Sequence, residues 1–291
     1  MTAAATGCQV HLPGGGPLIW GDVLKRAGIG RASAVVVARE AGVLSGSAAA
    51  EAEAKRLGLD VQVRFEGESV FPGQAVARVS GPPAAVSQAR ETLVGTLAKP
   101  SGIATAALAY VDACGDRPRV VCTAWRDQPP ALHGAIRQAL KSGGASSFLA
   151  DGPHIEVERE QVARLGGWAE GLATLSASEG IAVVMEMADH GPDVAADARA
   201  AAAAGAAILR LGPAHRGHLG RVAQTLRDAG LRDRVVLAYG GDIGPRDVCL
   251  LKAEDLDILD VGAAVADAAL LDMAYRVTGY ETEREDLPGH G

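Results

Sequence analysis

The sequence predicts an α/β protein built on parallel strands, and three observations carry that expectation. The first is the stretch from Val235 to Asp267, VVLAYGGDIGPRDVCLLKAEDLDILDVGAAVAD. It holds two apolar runs, Val235 to Tyr239 and Leu256 to Val261, each ending in glycine, with a short helical pattern from Pro245 to Lys252 between them. Strand, glycine, helix, strand, glycine, helix is the rhythm of a parallel sheet. The second observation is that the alternation reaches back to Arg119, with short turns throughout, which implies an open sheet or a closed barrel. The third is composition. Aliphatic residues and alanine dominate, aromatics are only 3%, and the 37 glycines are dispersed, which suits many tight turns around an aliphatic core.

Residues 1–17, rich in Ala, Gly and Pro, predict a poorly ordered lead. Ala34 to Ala38 reads as a strand, Ala48 to Gly58 as a helix, Asp60 to Phe65 as an alternating strand, and Ala75 to Val79 as another after the Phe71-Pro72-Gly73 turn. Ala84 to Leu97 is expected to be helical, to pause at Lys99-Pro100-Ser101-Gly102, and to resume through Cys114. Strands are then expected at Val120 to Thr123, Ser147 to Ala150, Ala182 to Met187, Ala207 to Leu211, Val235 to Tyr239 and Asp257 to Val261. Helices are expected at Ala131 to Lys141, Glu158 to Ser176, Val194 to Ala204, His218 to Ala229 and Pro245 to Lys252. Leu270 to Tyr280 reads as a final helix, followed by a charged, solvated tail.

At 291 residues the chain can form one barrel or two domains with a large core. A net charge of −7 argues against general binding to nucleic acid or an anionic membrane, so an anionic ligand needs a local cationic pocket. The cysteines, Cys8, Cys114, Cys122 and Cys249, lie far apart with no CxxC pair, which indicates neither zinc nor a disulfide framework. No basic region precedes an apolar run at the N-terminus, and no segment approaches about 20 unbroken apolar residues. A cytoplasmic protein is expected.

The chemistry-bearing candidates follow from the strand ends. Glycine where a strand feeds a helix lets backbone N–H groups approach an anion, so Gly240-Gly241 and Gly262-Ala263 are candidates to share one phosphate. The plainer reading is that they only make tight turns. Glu186 ends a buried strand, where an unpaired carboxylate is costly, and this marks it as a functional acid. Arg210 points either into the barrel or out toward a surface acid. His215 and Arg216 lie in a loop after a strand end, a common place for site residues. Arg126 beside Trp125 can hold a carboxylate while the indole stacks on a substrate, or can be a solvated loop residue. His154 follows Gly152-Pro153 at a strand end, while His133 and Lys141 are expected on a helix surface.

Several segments together resemble the type II phosphoribosyltransferases, the superfamily of nicotinate and quinolinate phosphoribosyltransferases. They are VVVAREAGVLSG (35–46), FPGQAVARVSGP (71–82), ETLVGTLAKPSGIAT (91–105), LRLGPAHRG (209–217), AYGGDIG (238–244), DVGAAVADA (260–268) and LLDMAYRVTGYE (270–281). The resemblance covers roughly residues 30 to 282. It implies an N-terminal α/β sandwich-like domain over 18–105 and an incomplete parallel α/β barrel over 106–268. A C-terminal helix and tail, 269–291, then return to the first domain. It further implies a homodimer or higher oligomer. The implied reaction joins the ring nitrogen of a pyridine carboxylate to phosphoribosyl pyrophosphate with release of pyrophosphate, accompanied by Mg²⁺. Such a reaction builds positive charge on the ribose carbon and negative charge on the leaving group, so it calls for carboxylates near the ribose and cations near the diphosphate. On this resemblance Glu186 is the catalytic acid, with Mg²⁺ beside it. Thr123, Trp125, Arg126, His154, Arg210, His215 and Arg216 bind substrate, and Gly240, Gly241, Gly262 and Ala263 bind phosphate.

The chain departs from the family pattern at several basic positions. Ala124-Trp125-Arg126 follows Thr123 where the family places Arg-Lys or Arg-Arg, and Glu91 stands where quinolinate enzymes place Arg. A Gly-rich segment with Asn-His-Arg is missing after Gly143-Gly144. Asp151 replaces a Lys, Gly212 an acid, and Tyr239 a Ser. Two readings therefore stand at this point: a phosphoribosyltransferase-like enzyme, or a catalytically degenerate relative that binds a phosphorylated ligand or a partner.

Overall fold

The computed structural model describes residues 23, 26–176, 180–187, 193–241 and 243–282. The expectations for residues 1–17 and for most of the tail lie outside these. The chain divides into two compact units, 1–105 with 269–291, and 106–268.

In the first unit, β1 (Ile29–Ala38), β3 (Asp60–Val63), β5 (Ala75–Gly81) and β12 (Met273–Thr282) form an antiparallel sheet in the order β12-β1-β5-β3. A two-residue pair, β2 (Gly42–Val43) with β4 (Ser69–Val70), stands apart from it. The period-2 positions Ala32, Ala34 and Val36 of β1 are buried and pack against two helices. The helices are α1 (Ser47–Arg56) and the part of α2 (Pro83–Cys114) that precedes Ala106. On α2 the stripe Val86, Ala89, Leu93 and Leu97 recurs at helical spacing and faces this core.

Two local expectations give way here. Helix α2 runs unbroken through Pro100. The proline removes the N–H that would bond the Thr96 carbonyl, and that carbonyl lies where a Cβ on Gly46 would stand, 2.4 Å from the oxygen. The following residues are tightly held. Ser101 Oγ accepts from Ser45 N (2.9 Å), Thr105 Oγ1 accepts from Val43 N (2.9 Å), and a methyl on Gly102 would sit 1.8 Å from the Ala269 carbonyl oxygen. The SGIAT motif is thus a packing node of this unit.

The second correction concerns the C-terminus. The expected helix over Leu270 to Tyr280 is strand β12, paired antiparallel with β1 in a register that sets Val36 against Tyr275 and Ala38 against Met273. Residues 273–282 carry Val, Thr and two Tyr, which favour a pleated strand once a partner strand satisfies the backbone. Sequence periodicity alone does not see that partner.

In the second unit six parallel strands run in the order β6-β11-β10-β9-β8-β7. They are β6 (Arg119–Val121), β7 (His154–Glu158), β8 (Ala182–Glu186), β9 (Ile208–Leu211), β10 (Val236–Gly240) and β11 (Ile258–Asp260). The helices between them are α3 (His133–Ser142), α4 (Arg159–Arg164), α5 (Gly167–Ser176), α6 (Val194–Ala203), α7 (Leu219–Asp228), α8 (Val248–Leu251) and α9 (Ala263–Ala266). The expected single helix from Glu158 breaks between α4 and α5, where Gly166 and Gly167 take φ of 102° and 89°. Ser147 to Ala150 is not a strand. Its carbonyls are taken by side chains, Ser147 O by Trp125 Nε1 (2.8 Å) and Leu149 O by Arg119 Nη2 (2.6 Å). The strand beside β8 is β7 instead, with Glu156 opposite Val184.

The sheet curves about an apolar interior of Val121, Leu149, Val184, Ile208, Ala238 and Ile258. Near the starts of β10 and β11, buried Arg232 clamps Asp255 (2.9 Å) and Asp257 (2.9 Å). That end of an α/β barrel carries stability rather than chemistry.

Candidate active site

Side chains along a strand share a face at every second residue. Two residues beyond each interior apolar position, toward the C-terminal strand ends, the sequence therefore continues the interior: Val121 to Thr123, Val184 to Glu186, Ile208 to Arg210, Ala238 to Gly240, Ile258 to Asp260. An apolar layer gives way to a polar one. The polar layer is a single hydrogen-bonded group. Arg210 Nη1 donates to both Glu186 oxygens at 2.8 Å, and Arg210 Nη2 reaches Asp260 Oδ2 at 2.8 Å. Asp260, 1% exposed, also accepts from Thr123 N (3.0 Å) and Thr123 Oγ1 (2.6 Å).

Glycine at 240 makes this possible. A methyl there would lie 2.8 Å from Arg210 Nη2, 3.0 Å from Nε and 3.2 Å from Cζ, so the guanidinium of β9 crosses β10 over a position that lacks a side chain. Arg210 Nε is buried and has no hydrogen-bond partner, which marks the side chain as fixed by its two carboxylates rather than by full satisfaction. Burial opposes the guanidinium charge, but Asp260 and Glu186 outweigh it and hold the Arg210 pKa above its ordinary value. Glu186 goes the other way for an acid. Burial pushes its carboxyl up, Arg210 offsets part of this, and the nearby Glu156 and Asp260 charges push it up further. One guanidinium shared by two carboxylates does not neutralise both. Removing one partner of such a buried group costs roughly 3–5 kcal/mol, because a charge is left uncompensated.

A second group links the two edge strands. Arg126, in the 3₁₀ turn Ala124–Asp127 after β6, donates from Nη1 to Glu156 Oε2 of β7 at 2.6 Å. Its guanidinium carbon lies 5.5 Å from the Trp125 ring centre and 5.7 Å from that of Phe148. Edge-to-face contacts join His133 to Trp125 (5.0 Å), Trp125 to Phe148 (5.4 Å) and Phe148 to His154 (5.9 Å). Burial alone would raise the Glu156 carboxyl, but Arg126 and His154 hold it below the usual range.

The sequence candidates fall into place unevenly. Arg210 points inward, and Thr123, Glu186 and Arg210 meet in one layer, while Trp125 and Arg126 lie at the adjoining edge. The two glycine turns adjoin: a methyl on Gly262, whose φ is 57° and ψ −142°, would lie 3.3 Å from the Gly241 carbonyl oxygen, and Ala263 begins α9. Gly241 also has a packing reason, since its methyl would meet Pro213 Cγ at 2.8 Å. Arg216 Nη2 pairs with Asp247 Oδ1 (2.7 Å), and His215 is buried in the same 3₁₀ segment, Pro213–His218. His154 does not end a strand; it begins β7, its Nε2 lying 3.3 Å from Glu156 Oε1. His133 is half-buried against Trp125 rather than a surface residue, whereas Lys141 is exposed.

Sequence reasoning missed Asp260, Glu156 and Phe148. The signal for Asp260 was present: it stands two residues after interior Ile258, as Glu186 does after Val184. A Mg²⁺ ion expected beside Glu186 would not gain Asp260 as a second ligand. Both Asp260 oxygens are engaged by Thr123, and the Arg210 guanidinium fills the interval between the two carboxylates. Among the described residues no group of three or more His, Cys, Asp or Glu is placed to hold a metal ion.

Comparison with known proteins agrees with this architecture. The model of the quinolinate phosphoribosyl transferase N-terminal domain matches residues 24–101, and that of its C-terminal domain matches residues 103–276. A probable nicotinate-nucleotide pyrophosphorylase (carboxylating) of Methanothermobacter thermautotrophicus is 26% identical over 267 residues, covering 89% of this chain and 94% of its own. The counterpart in Archaeoglobus fulgidus is 26% identical over 246 residues, covering 84% and 93%. Among solved structures, NadC from Streptococcus pyogenes has a TM-score of 0.73 at 24% identity, covering 87% of each chain. The nicotinate-nucleotide pyrophosphorylase of Pyrococcus furiosus has a TM-score of 0.72 at 22% identity, covering 93% of this chain and 76% of that one. These two likenesses speak to the fold, and with both domain models matched in sequence order the protein belongs to the quinolinate phosphoribosyl transferase family.

Proposed function

We propose that this protein transfers the phosphoribosyl group of phosphoribosyl pyrophosphate to the ring nitrogen of a pyridine carboxylate, with release of pyrophosphate. Family membership supports the reaction class, and the activity for which the relatives from Methanothermobacter thermautotrophicus and Archaeoglobus fulgidus are named supports the pyridine nucleotide setting. The observation that carries the reading is the inward-facing Glu186 in a polar layer at the C-terminal strand ends, where barrel enzymes hold their chemistry. A protein that only bound a phosphate would need the glycine turns but would gain nothing from a partly neutralised, half-buried acid.

The roles follow from charge. Glu186 faces the ribose carbon and stabilises the positive charge that develops as the diphosphate departs. The turns at Gly240-Gly241 and Gly262-Ala263 take a phosphate group through backbone N–H groups. Trp125, packed edge-to-face against Phe148, offers its ring to stack on the acceptor, and Arg126 offers its remaining N–H groups to one carboxylate. Arg216 and His215 stand on the loop after β9 for the phosphoryl end of the substrate, and His154 steadies Glu156. As in the family, the protein acts as a homodimer or higher oligomer, which light scattering of the purified chain tests; no nucleic acid or membrane partner is involved. A cytoplasmic setting is part of this reading; among the described residues no helix is long and apolar enough to cross a membrane.

Pyrophosphate release with phosphoribosyl pyrophosphate and a panel of nicotinate, quinolinate, and other pyridine and imidazole acids tests the proposal. Release that depends on the acceptor is the expected result. Binding of phosphoribosyl pyrophosphate with no release for any acceptor would overturn it.

A further inference from the structure

The carboxylates that a phosphoribosyl-transferring site would offer to a divalent cation are already joined by a cation of the chain itself. Arg210 spans Glu186 and Asp260 with contacts of 2.8 Å on each side. Three features hold it there. The position beneath the guanidinium is Gly240, where any side chain would collide with it. Asp260 is 1% exposed and fixed by both the N–H and the hydroxyl of Thr123, so it cannot turn to another ligand. Arg210 Nε is buried without an acceptor, so the side chain occupies this place at the cost of one unsatisfied donor. An arginine remains protonated at every working pH, and its planar fork matches two carboxylates as a spherical ion does not. Mg²⁺ requires near-octahedral oxygen ligands at about 2.0–2.1 Å and gives up its waters reluctantly. It could bridge Glu186 and Asp260 only by expelling the guanidinium.

We propose that Arg210 is the resident counter-cation of the Glu186–Asp260 pair and excludes a divalent metal ion from between them, so that metal reaches the site only as a complex with the diphosphate substrate. Arg210 is in this sense a positioning residue: it sets the charge and direction of Glu186 without touching the reacting atoms. The proposal rests on the phosphoribosyl-transfer reading for its consequence but not for its test.

The test is binding of Mn²⁺ alone to the full chain, followed by the electron paramagnetic resonance of the free ion, with no substrate present. The unsubstituted protein is expected to show no site that Glu186→Gln or Asp260→Asn removes. Arg210→Met, checked for folding by circular dichroism, should uncover the carboxylates and bind Mn²⁺ at least about tenfold more tightly. Arg210→Lys keeps the charge and should stay closed. Mn²⁺ binding by the unsubstituted protein that Glu186→Gln abolishes would overturn the proposal, as would a folded Arg210→Met with no gain. If Arg210→Met does not fold, the comparison of the unsubstituted protein with Glu186→Gln decides alone: no Glu186-dependent site supports the proposal. The transfer reading fails separately, on pyrophosphate release, and that failure leaves the Mn²⁺ result standing.

Discussion

Arg210 of β9 and Asp260 of β11 meet at 2.8 Å although a whole strand, β10, lies between their own. The contact exists because the intervening inward position is Gly240, and because sheet register places Gly240 opposite Asp260 and Arg210 opposite Ala238. A guanidinium reaching over a glycine ties three strand ends into one polar layer, with Glu186 of β8 as its outer member.

Gly240→Ala tests that relationship most directly. The added methyl would stand 2.8 Å from Arg210 Nη2, so the guanidinium must shift, and both of its carboxylate contacts oppose that shift. Arg210 must leave one of them, so thermal denaturation should show a loss of about 2–4 kcal/mol, the scale of disturbing a buried ion pair. Catalytic turnover should fall with it. Retention of both would show that Arg210 is not confined there.

Glu186→Gln keeps shape while removing charge. Turnover is expected to fall about a hundredfold or more, the scale of one preorganised electrostatic contact, while binding of phosphoribosyl pyrophosphate weakens far less. Steady-state kinetics with calorimetry separates the two. Equal losses in both would assign Glu186 to binding.

The raised carboxyl of Glu186 also makes a pH prediction. Burial and the neighbouring acids leave the folded protein binding this proton more tightly than the unfolded chain does. Stability contributed by the group is therefore present at low pH and declines as pH rises from the ordinary carboxylate range through the raised value. Denaturant titrations across that window should show the decline in the unsubstituted protein and its loss in Glu186→Gln. A rise in stability from this group would reverse the assignment.

At the paired turns, Gly262→Ala and Gly262→Asp share the same backbone strain, since φ is 57° and ψ −142°. Each should cost roughly 1–3 kcal/mol of stability. Only the aspartate adds a negative charge at the phosphate position, so phosphoribosyl pyrophosphate should bind Gly262→Asp far more weakly than Gly262→Ala. Equal affinities measured by calorimetry would remove the phosphate from this turn.

Quinolinate should be a poor acceptor. A dicarboxylate needs two cationic contacts, yet Arg126 is already bonded to Glu156, Asp151 is an exposed acid paired with Arg119, and Ala124 and Glu91 offer no positive charge. A desolvated carboxylate without a partner costs several kcal/mol, or roughly a thousandfold in affinity. Efficient turnover of quinolinate beside nicotinate would refute this.

The alternation of strands and helices, the glycines after the last two strands and the acid at the end of β8 are local features, so the parallel α/β architecture and the place of Glu186 at a strand end were legible from the chain alone. Arg210 was not assignable that way. Period 2 says that Ile208 and Arg210 share a face, but only the packing of the strands around Val184, Ile208, Ala238 and Ile258 makes that face the interior. Asp260 carried a local signal, two residues after Ile258, but its partner did not, and Glu156, flanked in period 2 by His154 and Glu158, gains meaning only from Arg126 beyond another strand. The segment Leu270 to Tyr280 read as helix, whereas pairing with β1 makes 273–282 a strand, and Pro100 read as a break although tertiary packing carries the helix through it. Sequence specifies the period and the punctuation, since these depend on neighbouring residues. Which face is buried, and which charge meets which, depends on strands far apart in the chain, and that was decided only when they came together.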